Sequence, residues 1–146
     1  MKPKRVINKQ ISKDGITENN TVALGRNVLA NYFASCLLMP YDLFYKVAEE
    51  SRYDIDILCN RFDASFEQVC HRLTTLFKKG KKGIPFHFMR VDIAGNVSKR
   101  FSLSGLKIPR YSVACPIWNI YTAFLNPGKI KLQLSKMLDG KTFICI

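Results

Sequence analysis

The run Lys78-Lys79-Gly80-Lys81-Lys82-Gly83 divides the chain into two textures, and no other feature constrains the fold as strongly. Its two glycines and four like charges break any helical period. Upstream, apolar residues recur every three or four positions; downstream they alternate, as in strands. A chain ordered this way is expected to be α+β, with an N-terminal helical segment packed on a C-terminal, mostly antiparallel β-sheet.

Residues 1–22 lack hydrophobic periodicity and are rich in Lys, Asn, Ser and Thr, so a flexible lead-in is expected there. From Ala23 a helical stripe of Leu24, Val28, Tyr32, Cys36 and Met39, widened by Leu29, Phe33 and Leu37, runs to a stop at Pro40. A second helix over Tyr41 to Ser51 places Leu43, Phe44 and Val47 on one side, and a short third spans about Asp54 to Phe62. Ser65 is a candidate N-cap for a helix from Phe66 to Phe77, with Val69, Cys70, Leu73 and Leu76 as its buried stripe. The last two helices have a helix-turn-helix layout: Ile57, Leu58 and Phe62 would pack on Val69 and Leu73, with Ser65, Glu67, Gln68 and Arg72 outward. Residues 23–79 thus form a helical segment.

The remainder, residues 80–146, reads as a β-rich cationic domain. A hairpin is expected from Ile84 to Ile93 and Val97 to Leu103 around the turn Ala94-Gly95-Asn96. Further strands are expected at Tyr111 to Ala114, Ile130 to Leu134 and Thr142 to Cys145, with a short helix from Trp118 to Leu125 ended by Asn126-Pro127-Gly128.

Charge narrows the functions. Of a formal net +12 over 146 residues, residues 78–146 carry +11, residues 1–22 carry +3 and residues 23–77 carry −2. Such a cationic half recruits anions: nucleic acid, the phosphates of a nucleotide-like ligand or an acidic protein. The helix-turn-helix-like pair lies in the acidic part, and Glu67 at the start of its second helix opposes phosphate, so packing is its expected role rather than base readout. No apolar run is long enough to span a membrane, and Met1 to Lys13 is unlike a signal peptide. Five cysteines without CxxC spacing point to reduced thiols in a cytoplasm.

Catalytic patterns are absent. The two histidines, His71 and His87, are sixteen residues apart, which excludes HExxH zinc chemistry. Cys70 and His71 are neighbours on a helix, about 100° apart, and cannot act as a nucleophile and base pair. Phosphate-binding glycine loops are missing, and Asp54, Asp56, Asp63 and Glu67 read as a solvated acidic face. Cys115 and Cys145, with Cys70, could hold an iron–sulfur cluster or metal, but their spacing is not diagnostic and a free cysteine is more commonly a small buried hydrophobe, so no metal site is expected. The chain is expected not to be an enzyme.

Asn27-Val28-Leu29-Ala30-Asn31-Tyr32-Phe33-Ala34-Ser35-Cys36-Leu37-Leu38-Met39-Pro40, then Arg61-Phe62-Asp63-Ala64-Ser65 and Val69-Cys70-His71-Arg72-Leu73, resemble the distal part of the ImmA/IrrE metallopeptidase-like domain. The HExxH helix and third metal-binding acid of that family are not present, so its activity does not carry over. Gly83 to Asp92, Ala94 to Ser102, Ala114-Cys115-Pro116-Ile117-Trp118-Asn119 and Asp139-Gly140 resemble the C-terminal domain of the short-chain fatty acyl transcriptional regulators, bacterial Xre-type proteins. Ile117 stands where that family usually has Arg, and Leu138 where it usually has Pro.

The resemblance implies a cytoplasmic sensory region for short-chain acyl-coenzyme A or a related metabolite. It also implies a homodimer that reaches DNA through an N-terminal domain this sequence lacks, and hence a fragment or a stand-alone paralogue. The residue chemistry agrees in kind: Arg90, Lys99, Arg100 and Arg110 supply cations for phosphates, and Trp118, Phe86 or Phe88 an aromatic surface. Cys115 and Asn119 flank Trp118, and Trp118-Asn119 after a proline-fixed backbone is the preferred platform. The rival expectations are a direct nucleic-acid-binding module and a degenerate ImmA/IrrE peptidase.

Overall fold

The computed structural model describes residues 3–15, 17–102, 119–136 and 140–146. It is α+β in the expected order and divides into two compact units, Met1–Pro85 and Phe86–Ile146.

The first unit begins with α1 (Pro3–Lys13) and α2 (Asn19–Leu38). Helix α1 occupies much of the stretch expected to be a flexible lead-in. It is held by contacts that hydrophobic periodicity does not reveal: Ile11 is buried with its side chain 3.8 Å from the position a Gly25 Cβ would take, and Arg26 Nε donates to Asn8 Oδ1 at 3.0 Å. Pro40 ends α2 as expected, and α3 (Tyr41–Glu50) leaves it at 64°. The stripe expected to bury α2 does not do so. Leu24 is 65% and Leu37 67% exposed, and no residue within α2 is buried, whereas Met39 just after it is. Apolar residues surround this helix with a single charge, Arg26, so its pattern specifies a helix without specifying a packed face.

The core lies one step further along the chain. Phe44 and Ala48 of α3, Ile55 and Leu58 of α4 (Ile55–Phe62), and Val69 and Leu73 of α5 (Phe66–Leu73) are buried together with Met39 and Leu76. The Phe44 and Phe62 rings meet at 5.1 Å. Asp54 caps α4 by accepting from Ile57 N at 3.0 Å, and Asp63 closes it in the left-handed region at φ 47°. Ser65 caps α5 as expected, in a reciprocal box with Gln68. Helix α5 ends at Leu73, short of the expected Phe77, and Ile57 is half exposed rather than packed.

Arg72 overturns its expected outward direction. It is 1% exposed, donating from Nε to the Met39 carbonyl at 3.0 Å and from one terminal nitrogen to Cys36 Sγ at 3.4 Å and Thr75 Oγ1 at 3.0 Å. Its guanidinium also lies 5.7 Å from the Tyr41 ring centroid. The planar fork satisfies the carbonyl of the α2 C-cap residue, which the end of that helix leaves without an intrahelical donor.

The Lys-rich run forms a hairpin, β1 (Phe77–Lys78) and β2 (Lys81–Lys82), and bonds to α3 keep it in the first unit. The second unit holds β3 (His87–Val91), β4 (Val97–Ser102), α6 (Asn119–Leu125), β5 (Gln133–Lys136) and β6 (Thr142–Cys145). The expected strand at Tyr111 to Ala114 lies outside the described residues. Among those described, the strands pair as three separate two-stranded antiparallel ribbons in place of one sheet. No single described helix is long and apolar enough to cross a membrane; α2 and α3 pass that test only as a bent pair.

Arg72→Ala strips the Met39 carbonyl of its donor and leaves a cavity, so a loss of about 3 kcal/mol is expected from urea denaturation midpoints. Exposed Arg61→Ala should stay within about 0.5 kcal/mol of the parent. Comparable losses in both variants would contradict the role given to Arg72.

Candidate functional site

Three of the expected site residues lie on the β3–β4 ribbon, whose register shows which of them share a face. Phe88 pairs with Phe101, Met89 with Arg100 and Arg90 with Lys99, followed by an irregularity between Arg90 and Val91. Residues paired across antiparallel strands share a face, and alternate residues along a strand do too. Arg90 and Lys99 therefore share a face with Phe88 and Phe101, whose rings stack at 6.3 Å. Arg100 lies on the opposite face with Met89, His87 and Ser102. The sequence already held this separation, because neighbours 99 and 100 in one strand cannot point the same way. Phe101 is the residue that sequence reasoning missed; only the register reveals its pairing with Phe88.

The turn between the strands is built locally. Asp92 accepts from Asn96 N and Asn96 Nδ2, each at 2.9 Å, and Gly95 sits at φ 86°, which favours glycine. These bonds, the Asn96 side chain first among them, hold the Asp92 carboxyl below the usual carboxylate range. A Cβ on Gly95 would stand 3.3 Å from the Tyr121 hydroxyl, so this turn approaches α6. Helix α6 is in turn tied to β5. Asn119 N donates to Gln133 Oε1 at 2.7 Å and its Nδ2 to the Lys131 carbonyl at 2.9 Å. Asn119, expected at the ligand, thus uses its side-chain amide to seat α6.

On the other side of the ribbon, the His87 ring meets Phe143 of β6 edge-on at 5.8 Å. Burial lowers the His87 pKa from 6.5. Ribbon β5–β6 turns Gln133, Ser135, Phe143 and Cys145 to one side and Leu134 and Ile144 to the other. Arg110, Cys115 and Trp118, with Ile117 and Leu138, lie outside the described residues.

The remaining titratable candidates are spread out. Cys70 lies in α5 of the first unit, where burial pushes its thiol up to about 12, and the nearby Cys59 is raised for the same first reason. A thiol held protonated is a poor nucleophile and a poor metal ligand. Among the described residues no three His, Cys, Asp or Glu side chains converge as a metal requires.

Residues 75–146 match the family model described as the short-chain fatty acyl coenzyme A regulator, C-terminal, and residues 8–74 match the IrrE N-terminal-like domain. The C-terminal half of the chain belongs to the short-chain fatty acyl coenzyme A regulator family. Similar proteins include the HTH-type transcriptional regulator RamB of Mycobacterium tuberculosis, 40% identical over 97% of this chain and 30% of its own length. The propionyl-CoA carboxylase regulator of Cereibacter sphaeroides is 46% identical over 81% of this chain and 26% of its own length. A solved Mycobacterium tuberculosis transcriptional regulator superposes at a TM-score of 0.90 with 41% identity, covering 97% of this chain and 43% of that one. The chain therefore spans under a third of the length of these curated relatives. The regulator-family half, beginning at residue 75, takes in the Lys-rich hairpin and both β3 and β4.

His87 supplies a pH test. With its folded pKa below the ordinary value of 6.5, the unfolded chain binds this proton more readily. Stability from the neutral ring is complete above that value and lost as pH falls through the depressed folded value. Chemical denaturation between about pH 8 and pH 5 should show this loss in the parent and a flatter profile in His87→Gln. An identical profile in the variant would assign the pH dependence to other groups.

Proposed function

We propose that the chain is the ligand-sensing region of a bacterial transcriptional regulator, responding to a short-chain acyl-coenzyme A or closely related metabolite without catalysing a reaction. The observation that carries this is the shared face of Arg90 and Lys99 beside the stacked Phe88 and Phe101. Two cations for phosphates stand next to an apolar aromatic surface for an adenine or acyl group, which are the two kinds of contact a coenzyme A thioester requires. The family match over residues 75–146 supports the ligand class, and the relatives' names support regulation of transcription. Arg110, Cys115 and Trp118 join the proposed site on sequence grounds, with Arg100 contributing from the far face of the ribbon. No metal or iron–sulfur cluster is part of this proposal. DNA would be reached mainly through regions that the longer relatives possess, by a homodimer in the cytoplasm.

Titration calorimetry with acetyl- and propionyl-coenzyme A tests the proposal. Each of Arg90→Ala and Lys99→Ala removes a charge-assisted contact of about 1.5 to 3 kcal/mol, raising Kd about ten-fold or more. Arg100→Ala should have the smaller effect. Unchanged affinity in both of the first two variants would place the ligand elsewhere, and no binding by the parent chain would remove the sensor.

A further inference from the structure

The hairpin β1–β2 plays no part in the proposed ligand face, yet it is held with unusual care. The Tyr41 hydroxyl accepts from Lys78 N and donates to the Lys81 carbonyl, both at 2.8 Å. The Tyr53 hydroxyl accepts from Ile84 N at 3.3 Å while donating to Glu49 Oε1 at 2.6 Å. Gly83 is closely packed: a Cβ there would lie 2.9 Å from Leu76 Cβ in the segment between α5 and β1. Gly80 turns the chain at φ 81°, which excludes most side chains.

This anchoring sorts the four lysines. Lys78 and Lys81 are paired and share one face, where Asp42 receives both ammonium groups at 3.4 and 2.8 Å. The pairing holds the Asp42 carboxyl below its usual range, Lys81 contributing most. Lys82 pairs with Phe77 on the opposite face, and Lys79 stands at the turn. Both lysines are exposed, and the Phe77 ring beside Lys82 is 57% exposed. Lysines that served only solubility would gain nothing from a fixed neck, whereas a polyanion contact gains from charges presented without further ordering of the backbone.

We propose that this hairpin contacts the phosphate backbone of duplex DNA through Lys79 and Lys82. Charge complementarity selects a polyanion, and the relatives' naming as HTH-type transcriptional regulators selects duplex DNA among polyanions. The contact positions the protein and reads no sequence. It stands independently of the acyl-coenzyme A site, which lies in the other unit.

Fluorescence anisotropy of the 146-residue chain with a labelled duplex of arbitrary sequence, followed across a salt series, tests it. Each phosphate neutralised contributes about 0.9 to the slope of log K against log salt, so Lys79→Ala/Lys82→Ala should flatten it by about 1.8. Lys129→Ala/Lys136→Ala removes the same charge from the second unit and should leave the slope near the parent's. Melting curves should be unchanged, because the hairpin's anchoring bonds use neither Lys79 nor Lys82 side chains. An unaltered slope in the hairpin variant, or equal flattening in both variants, overturns the proposal. No salt-dependent binding by the parent would overturn it too, in favour of an acidic protein partner.

Discussion

The guanidinium of Arg72 is the point on which the first unit depends. Burying an ionised group is costly unless its donors are met, and Arg72 meets them with a carbonyl, a thiol, a hydroxyl and an aromatic face. Among the described residues no carboxylate forms an ion pair with it. Its partners come from both sides of the Pro40 break, Cys36 and Met39 before it and Tyr41 after it, so one side chain on α5 fixes the α2–α3 bend against the core. Tyr41 then continues outward: its ring lies near Arg72 and Lys78, and its hydroxyl spans the neck of the β1–β2 hairpin. A buried cation is thereby connected through one tyrosine to an exposed cationic element.

The second unit is organised by a different constraint, the two-residue repeat of paired strands. Val91 is its one buried apolar residue among those described, and what orders the described part is register, turn chemistry and the ties of Asn119. Register gives the β3–β4 ribbon two chemically distinct faces. One carries Arg90, Lys99 and two phenylalanines, and the other carries Arg100 and a histidine whose ring meets Phe143.

Local chemistry made much of this fold legible. Pro40 as a stop, Ser65 as a cap, the turn at Ala94-Gly95-Asn96 and the strand Thr142–Cys145 depend on a few consecutive residues and occur where expected. Features set at a distance were not legible. Arg72 finds its acceptor 33 residues away, and Tyr41 bonds a hairpin 37 to 40 residues away, so neither follows from periodicity. The exposure of α2 escaped for the opposite reason, since an apolar stripe predicts a helix but not what covers it. The cations of the candidate site were identifiable from charge alone, while their division between two faces needed the pairing of Met89 with Arg100 and Arg90 with Lys99.

Hydrogen–deuterium exchange of the chain with and without saturating propionyl-coenzyme A most directly tests whether the second unit is the sensor. Ligand-dependent protection should concentrate on His87–Val91 and Val97–Ser102, the strands that carry Arg90 and Lys99. Protection confined to the helices of the first unit, or no change in either unit at saturation, would contradict it.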